Sequence, residues 1–250
     1  MARTSTRPRR GSPLHLTPAF DLFKPSYEIV RKHIWIFGPL YAVPFIFSLH
    51  SWLWSPAGPN VHTHHWWGTW QSFGPGWSAS PIPIFTSYAF VGFAILWFLF
   101  VIIAGTIVQI MTQEAQLEGA EGKEVITFDP LWRVAKEVGW RMLGLYVLVG
   151  LVIVIGLILL IIPGLIMIRR YFLAPYVMLD KRPKSVVEAM EISARMSKSY
   201  SGSIWGIVGV MFLIGLVSII PVIGWFASFL LGMFYSVAPA LRYQELKELS

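Results

Sequence analysis

Apolar runs of about 20 residues recur along this chain, and that length is what a helix needs to cross a hydrocarbon core about 30 Å thick. No water in lipid can satisfy a backbone amide, so such a run must close its hydrogen bonds within a helix. Six stretches carry this reading, at about 34–53, 84–110, 142–162, 165–179, 204–220 and 223–241. Charge is scarce to match: 13% of residues are charged and 55% hydrophobic, where soluble domains carry about 25% charged residues. A soluble fold would have to hide several wholly apolar helices in one small core. The expectation is an all-α polytopic membrane helix bundle. Residues 1–16 form a disordered basic cytoplasmic tail, and 17–250 form one transmembrane domain with six spans and cytoplasmic amphipathic helices between them.

The basic residues test that topology. Seven Lys or Arg fall in 1–33, four in 111–141, five in 181–203 and two after 241. None falls in 54–82 or at the Pro163 and Pro221 turns, and only Arg169 and Arg170 stand apart. With six spans every basic segment lies on one face, which the positive-inside bias makes the cytoplasm. If the fourth run failed to cross, Lys181, Arg182, Lys184, Arg195 and Lys198 would be stranded outside. The reading is therefore a bacterial-type inner membrane protein with both termini cytoplasmic. Arg3, Arg7, Arg9 and Arg10 precede no short apolar core with a cleavage site, so the start reads as a tail and not as a signal peptide. The net charge of +7 is thereby assigned to the membrane and its anionic headgroups, and nucleic acid is not expected. The absence of cysteine excludes disulfides, thiolate nucleophiles and Cys-ligated zinc.

Local signals punctuate the runs. Thr17-Pro18 and Asp129-Pro130 read as capped helix starts. Phe20 to His33 is amphipathic and interrupted at Pro25, while Pro39 and Pro44 kink the first span. Met111 to Gly122 continues the second span as a polar helix with Gln113, Glu114, Glu118 and Glu121. Pro163-Gly164 makes a tight turn. Ser185 with Glu188 forms a capping box, and Glu191 and Arg195 stand i,i+4 in the favourable order. Gly144, Gly150, Gly202, Gly206 and Gly209 are small residues that let helices approach closely.

Parts of the chain repeat. Trp35 and Tyr41 return as Trp140 and Tyr146, and Phe20-Asp21 as Phe128-Asp129. Ile161-Ile162-Pro163 returns as Ile219-Ile220-Pro221, and Ala174-Pro175 as Ala238-Pro239. Each unit reads as amphipathic helix, span, outer turn, span, which suggests a three-fold repeat of helical hairpins.

The run Ile162-Pro163-Gly164, Arg170-Tyr171, Ala174-Pro175 and Asp180 is followed by a helix with Glu188-Ala189 and Ser193-Ala194-Arg195. Together with the closing Leu241-Arg242-Tyr243-Gln244-Glu245-Leu246, it resembles the membrane domain of glycerophosphoryl diester phosphodiesterases and related integral membrane families. The resemblance covers about residues 125–248. It implies a fold and a link to lipid or envelope biology. Hydrolysis in those enzymes belongs to a separate soluble, metal-binding domain, and no stretch here resembles it.

Arg169 and Arg170 lie about 7–9 Å from the Pro163 turn at 1.5 Å per residue. A charge at mid-bilayer costs about 2.5–3.5 kcal/mol on insertion scales, so both should face protein, water or headgroups. With Tyr171 they form a candidate site for a lipid phosphate or another anion, since guanidinium matches phosphate in a bidentate way. The competing reading is that they snorkel to the outer interface as anchors. Asp180, Glu188, Glu191 and Arg195 are expected to form a structural ion-pair network that packs the amphipathic helix under the bundle. A carboxylate pair without a nearby histidine or metal is a poor acid–base site. His62, His64 and His65 are weak metal candidates: imidazole suits zinc or copper, but the loop lacks acidic or thiol partners. That loop also holds Trp52, Trp54, Trp66, Trp67, Trp70 and Trp77, half of the tryptophans, as an interfacial belt would. No nucleophile–base pair or resident metal stands out, so neither catalysis nor a cofactor is expected. The expected role is a non-enzymatic membrane protein that binds lipid or organises envelope partners. The alternative is a transporter or channel for a small or lipidic anion past Arg169 and Arg170. Expected partners are membrane lipids, anionic ones included, and a second copy or another membrane protein.

Overall fold

The computed structural model describes residues 16–53, 82–220 and 223–249, with side chains described over 16–46, 91–220 and 223–249. Every element among them is an α-helix. They run α1 Phe23–Lys32, α2 Ile34–Leu53, α3 Ile82–Ala120, α4 Phe128–Leu159 and α5 Ile161–Tyr171, then α6 Ala174–Lys181, α7 Val186–Ser199, α8 Ser201–Val217, α9 Ile223–Tyr235 and α10 Ala238–Leu249.

Several helix ends differ from expectation for one reason: proline at a helix start has no hydrogen bond to lose. Pro25 lies in the first turn of α1 and opens that helix instead of interrupting it. Phe128 already begins α4 behind an extended Thr127, so Asp129 is inside the first turn and complements the helix dipole without capping it. Thr17-Pro18 precedes two bonded turns, and the helix proper begins later, at Phe23. The turn expected at Pro163-Gly164 falls instead at Leu160, whose extended backbone (φ −162°, ψ 139°) separates α4 from α5. Pro163 sits in the first turn of α5.

Glycine is what lets α4 and α5 fold back on each other so tightly. A Cβ on Gly156 would come within 3.0 Å of the Gly164 Cα, so the two arms meet backbone to backbone. Beyond this hairpin the chain breaks at Phe172-Leu173, and Ala174-Pro175 opens α6. That helix stops where Arg182 takes a left-handed conformation (φ 44°) ahead of Pro183. The Ser185 hydroxyl then caps α7 by accepting the Glu188 amide proton at 3.1 Å. The Glu188 carboxylate in turn accepts from the Lys184 amide at 3.0 Å. Helices α7 and α8 meet at 101°.

Buried side chains concentrate where α6, α7 and α10 pack against α3 and α4. Ile110, Leu131, Met142, Leu145, Leu173, Met178 and Tyr243 are all fully buried there. Exposed large apolar residues gather instead over 91–103, 147–166 and 212–230, the surface expected to face acyl chains. Among the described residues, four helical stretches are long and apolar enough to cross a membrane: Val91–Ala120, Phe128–Leu159, Ile161–Lys181 (α5 with α6) and Ile223–Leu249 (α9 with α10). The bent pair α7–α8 is a fifth if it counts as one span. Length and composition thus support a multi-pass helical protein with four to five spans. Helix α8 has only 17 residues, and α2 runs over Ile34–Leu53.

Candidate functional site

Helix α3 carries Gln109, Gln113 and Gln116 at i, i+4 and i+7, so the three amides share one face of the helix where its apolar run turns polar. Residues Gln113 and Gln116 are only 7% and 5% exposed, and a buried amide must find partners. Tyrosines from three other helices supply them. The Tyr146 hydroxyl of α4 donates to Gln113 Oε1 at 2.7 Å. The Tyr176 hydroxyl of α6 donates to Gln116 Oε1 at 2.8 Å, and Gln116 Nε2 donates to the Tyr41 hydroxyl of α2 at 3.0 Å.

This polar layer closes one side of a cavity of about 460 Å³, within the range of small-ligand sites. Met211 and Ile214 of α8 and Phe229 and Met233 of α9 supply apolar lining. The Ser228 and Ser236 hydroxyls and the Pro239 ring complete the wall near α10. A second groove of about 310 Å³ shares Tyr41, Ser228 and Phe229 with it and continues past Pro44, Phe45 and Trp225. Aromatic rings pave that extension: Phe45 stacks on Trp225 at 4.6 Å and lies 4.1 Å from Phe229. Among the described residues, no Asp, Glu, Lys, Arg or His lines either space. The arrangement offers amide and hydroxyl hydrogen bonds together with aromatic surface.

The residues picked out from sequence lie elsewhere. Arg169, Arg170 and Tyr171 form the last turn of α5, and none lines the cavity. The Arg170 carbonyl accepts from Ser193 at 2.7 Å and from Ser197 at 3.3 Å. The Arg170 backbone therefore sits against α7. Arg170 is exposed. Arg169 is half-buried, and its Nε is buried without a hydrogen bond. Tyr171 is partly buried against the core.

The expected network of Asp180, Glu188, Glu191 and Arg195 does not form. Asp180 instead accepts from Tyr243 and Lys247 of α10, both at 2.7 Å. Glu188 is engaged at the start of α7, and no ion pair joins Glu191 to Arg195. Helix α7 is held by its serines, and Asp180 finds partners more than 60 residues away. The other ion pairs among the described residues are Lys123–Glu118 at 2.6 Å, Arg182–Glu137 at 2.9 Å and Arg242–Glu245 at 2.6 Å. Arg242 is fully buried and also donates to the Thr17 carbonyl, which ties the N-terminal segment to α10. His62, His64, His65 and the tryptophans of that loop lie outside the residues with described side chains. Among those described, no three His, Asp or Glu side chains come together.

Sequence reasoning named Tyr41 and Tyr146 only as a repeat and Gln113 only as part of a polar helix, passed over Gln109, Gln116 and Tyr176, and joined none of them into a site. One signal was available, the i, i+4, i+7 spacing of three glutamines at the end of an apolar run. No protein-family model, no curated protein and no solved structure matches the chain.

Proposed function

We propose that this chain is a multi-pass membrane protein that holds a lipid-like amphiphile and performs no chemistry on it. The observation that carries the reading is a cavity whose described lining is uncharged, with a glutamine–tyrosine layer that adjoins an aromatic groove. An amphiphile matches both ends at once, its head on the amides and its tail along Phe45, Trp225 and Phe229. A purely polar solute would leave the aromatic groove unfilled, and a purely apolar one would strand the amides.

The six-span topology, with both termini in the cytoplasm of a bacterial-type membrane, belongs to the same proposal. Its support is the one-sided distribution of Lys and Arg. A repeated hairpin is supported by two parallels: Ala174-Pro175 and Ala238-Pro239 each open a short helix after a break, and Tyr41 and Tyr146 each bond a glutamine of α3. The likeness to the membrane domain of glycerophosphoryl diester phosphodiesterases agrees with a lipid role.

Native mass spectrometry of the detergent-extracted chain is the test. A lipid should co-purify with it and be lost on Gln116→Leu in protein that keeps its helix content. Retention of the same lipid by the variant would remove the cavity as its site. A second reading, an anion contact at Arg169 in a transporter or binder, draws on the unpaired buried Nε. It requires anion flux, or binding of anionic lipid, that disappears with Arg169→Ala and ignores Gln116→Leu.

A further inference from the structure

We infer that a separate lipid site lies on the outer face of α4, where an acidic phospholipid sets its phosphate on Lys136 and its acyl chains in two hollows that flank Trp140. The first hollow, about 160 Å³, lies between α3 and α4, and its lining includes Ile103, Ile107, Lys136, Gly139, Trp140 and Leu143. The second, about 500 Å³ and more open, lies between α4 and the start of α7, and its lining includes Trp140, Leu143, Gly144, Val147, Leu151 and Val186. Trp140 and Leu143 belong to both, so the two form one ridged surface. Neither hollow shares a residue with the glutamine–tyrosine cavity, so the site is independent of what that cavity holds. No described neighbour requires the two glycines. A Cβ at Gly139 would meet no atom within 4 Å, and one at Gly144 would touch only Val186, at an ordinary 3.7 Å. Alanine would suit the helix better at both positions, and what glycine leaves there is open space.

The surroundings select the occupant. Trp140 is 79% exposed, and Ile103, Val147 and Leu151 are exposed beside it on helices long and apolar enough to cross a membrane. Acyl chains are what such walls meet in a bilayer. The charge next to them is positive. Lys136 lines the first hollow with its Nζ 5.0 Å from the centre of the Trp132 ring, a cation–π contact that holds an ammonium against apolar surface. Arg133 is one turn back, Arg141 follows Trp140, and Lys184 precedes Val186 by two residues. None of these four side chains makes an ion pair among the described residues. Of the acids on this stretch of α4, Glu137 is taken by Arg182 at 2.9 Å, and Asp129 lies in the first turn. An anionic phosphodiester head supplies the missing charge, as basic pockets between membrane helices recognise it elsewhere. A zwitterionic head brings an ammonium of its own, which the same cations repel. A second copy docked about a two-fold axis would set Lys136 among like charges, which disfavours it.

The probes are dioleoylphosphatidylglycerol and dioleoylphosphatidylcholine, which share their chains and differ in net charge. An equimolar mixture is offered to the full chain in detergent, and bound lipid is read by native mass spectrometry. Phosphatidylglycerol should be preferred at least fivefold. Lys136→Gln, a change on an exposed side chain, should cut its binding about three- to fivefold, as expected for one cation at a lipid surface, and leave phosphatidylcholine as it was. Gly139→Leu fills the first hollow and should weaken both lipids. Gln116→Leu, in the cavity, should leave the preference between the heads unchanged. Equal binding of the two lipids, or a preference that survives both Lys136→Gln and Gly139→Leu, overturns the site on α4 and leaves the cavity proposal standing. A preference lost on Gln116→Leu overturns it too, by placing the acidic lipid in the cavity. A dimer that Gly139→Leu abolishes would make this face a contact between copies and would equally overturn the lipid site.

Discussion

Gln116 is the residue whose removal should be felt most, because one amide holds hydroxyls from two other helices. Its Oε1 takes the Tyr176 proton at 2.8 Å and its Nε2 reaches Tyr41 at 3.0 Å. Tyr176 is 5% exposed, so water cannot replace the lost partner. A neutral hydrogen bond contributes about 1 kcal/mol net, and a buried polar group left alone costs about 1–3 kcal/mol. Double-mutant cycles inside membrane proteins average about 0.6 and reach about 1.7 kcal/mol. Gln116→Leu should therefore cost about 1–3 kcal/mol. Its coupling to Tyr176→Phe should be about 0.5–1.5 kcal/mol, read from reversible unfolding in mixed micelles. Tyr146→Phe supplies the control: Tyr146 bonds Gln113 and not Gln116, so that pair should add within about 0.5 kcal/mol. Zero coupling between Gln116 and Tyr176, or equal coupling for both pairs, would refute the layer as described.

Three further outcomes are expected. A Cβ at Gly164 would lie 2.8 Å from the Leu157 nitrogen, so Gly164→Ala should cost about 1–3 kcal/mol through overpacking; an unchanged unfolding midpoint would mean that the hairpin does not close this tightly. Ser185→Ala should cost about 0.5–2 kcal/mol and speed amide exchange at Glu188, whose proton the hydroxyl accepts; equal exchange rates would dismiss the cap. His33, between α1 and α2, is 8% exposed. Burial first and Lys32 second hold its pKa below the ordinary 6.5, with a hydrogen bond to the Lys123 backbone working against them. The unfolded chain thus takes a proton that the folded chain refuses. The contribution of His33 is complete above about pH 6.5 and is lost as the pH falls below it. Thermal midpoints should drop on the acid side in the native chain and drop less in His33→Gln; parallel curves would clear His33 of the effect.

The helical class and its membrane setting were legible in the residues alone, because crossing lipid imposes a length and a polarity that no later packing can override. The same holds for the Ser185 cap, which needs only residues three apart. Local patterns failed where the partner is distant in sequence. Asp180 looked paired with its neighbours on α7 and is in fact held by Tyr243 and Lys247 of α10. The arginine pair drew attention because a charge in an apolar run is conspicuous, yet the cavity is built from uncharged residues that are ordinary one at a time. Tyr41, Gln116 and Tyr176 become a site only when α2, α3 and α6 bring them together. Hydrophobic length decides that a segment enters the bilayer. Which hydroxyl meets which amide inside it depends on how the helices pack against one another, and that is set by contacts spread over the whole chain.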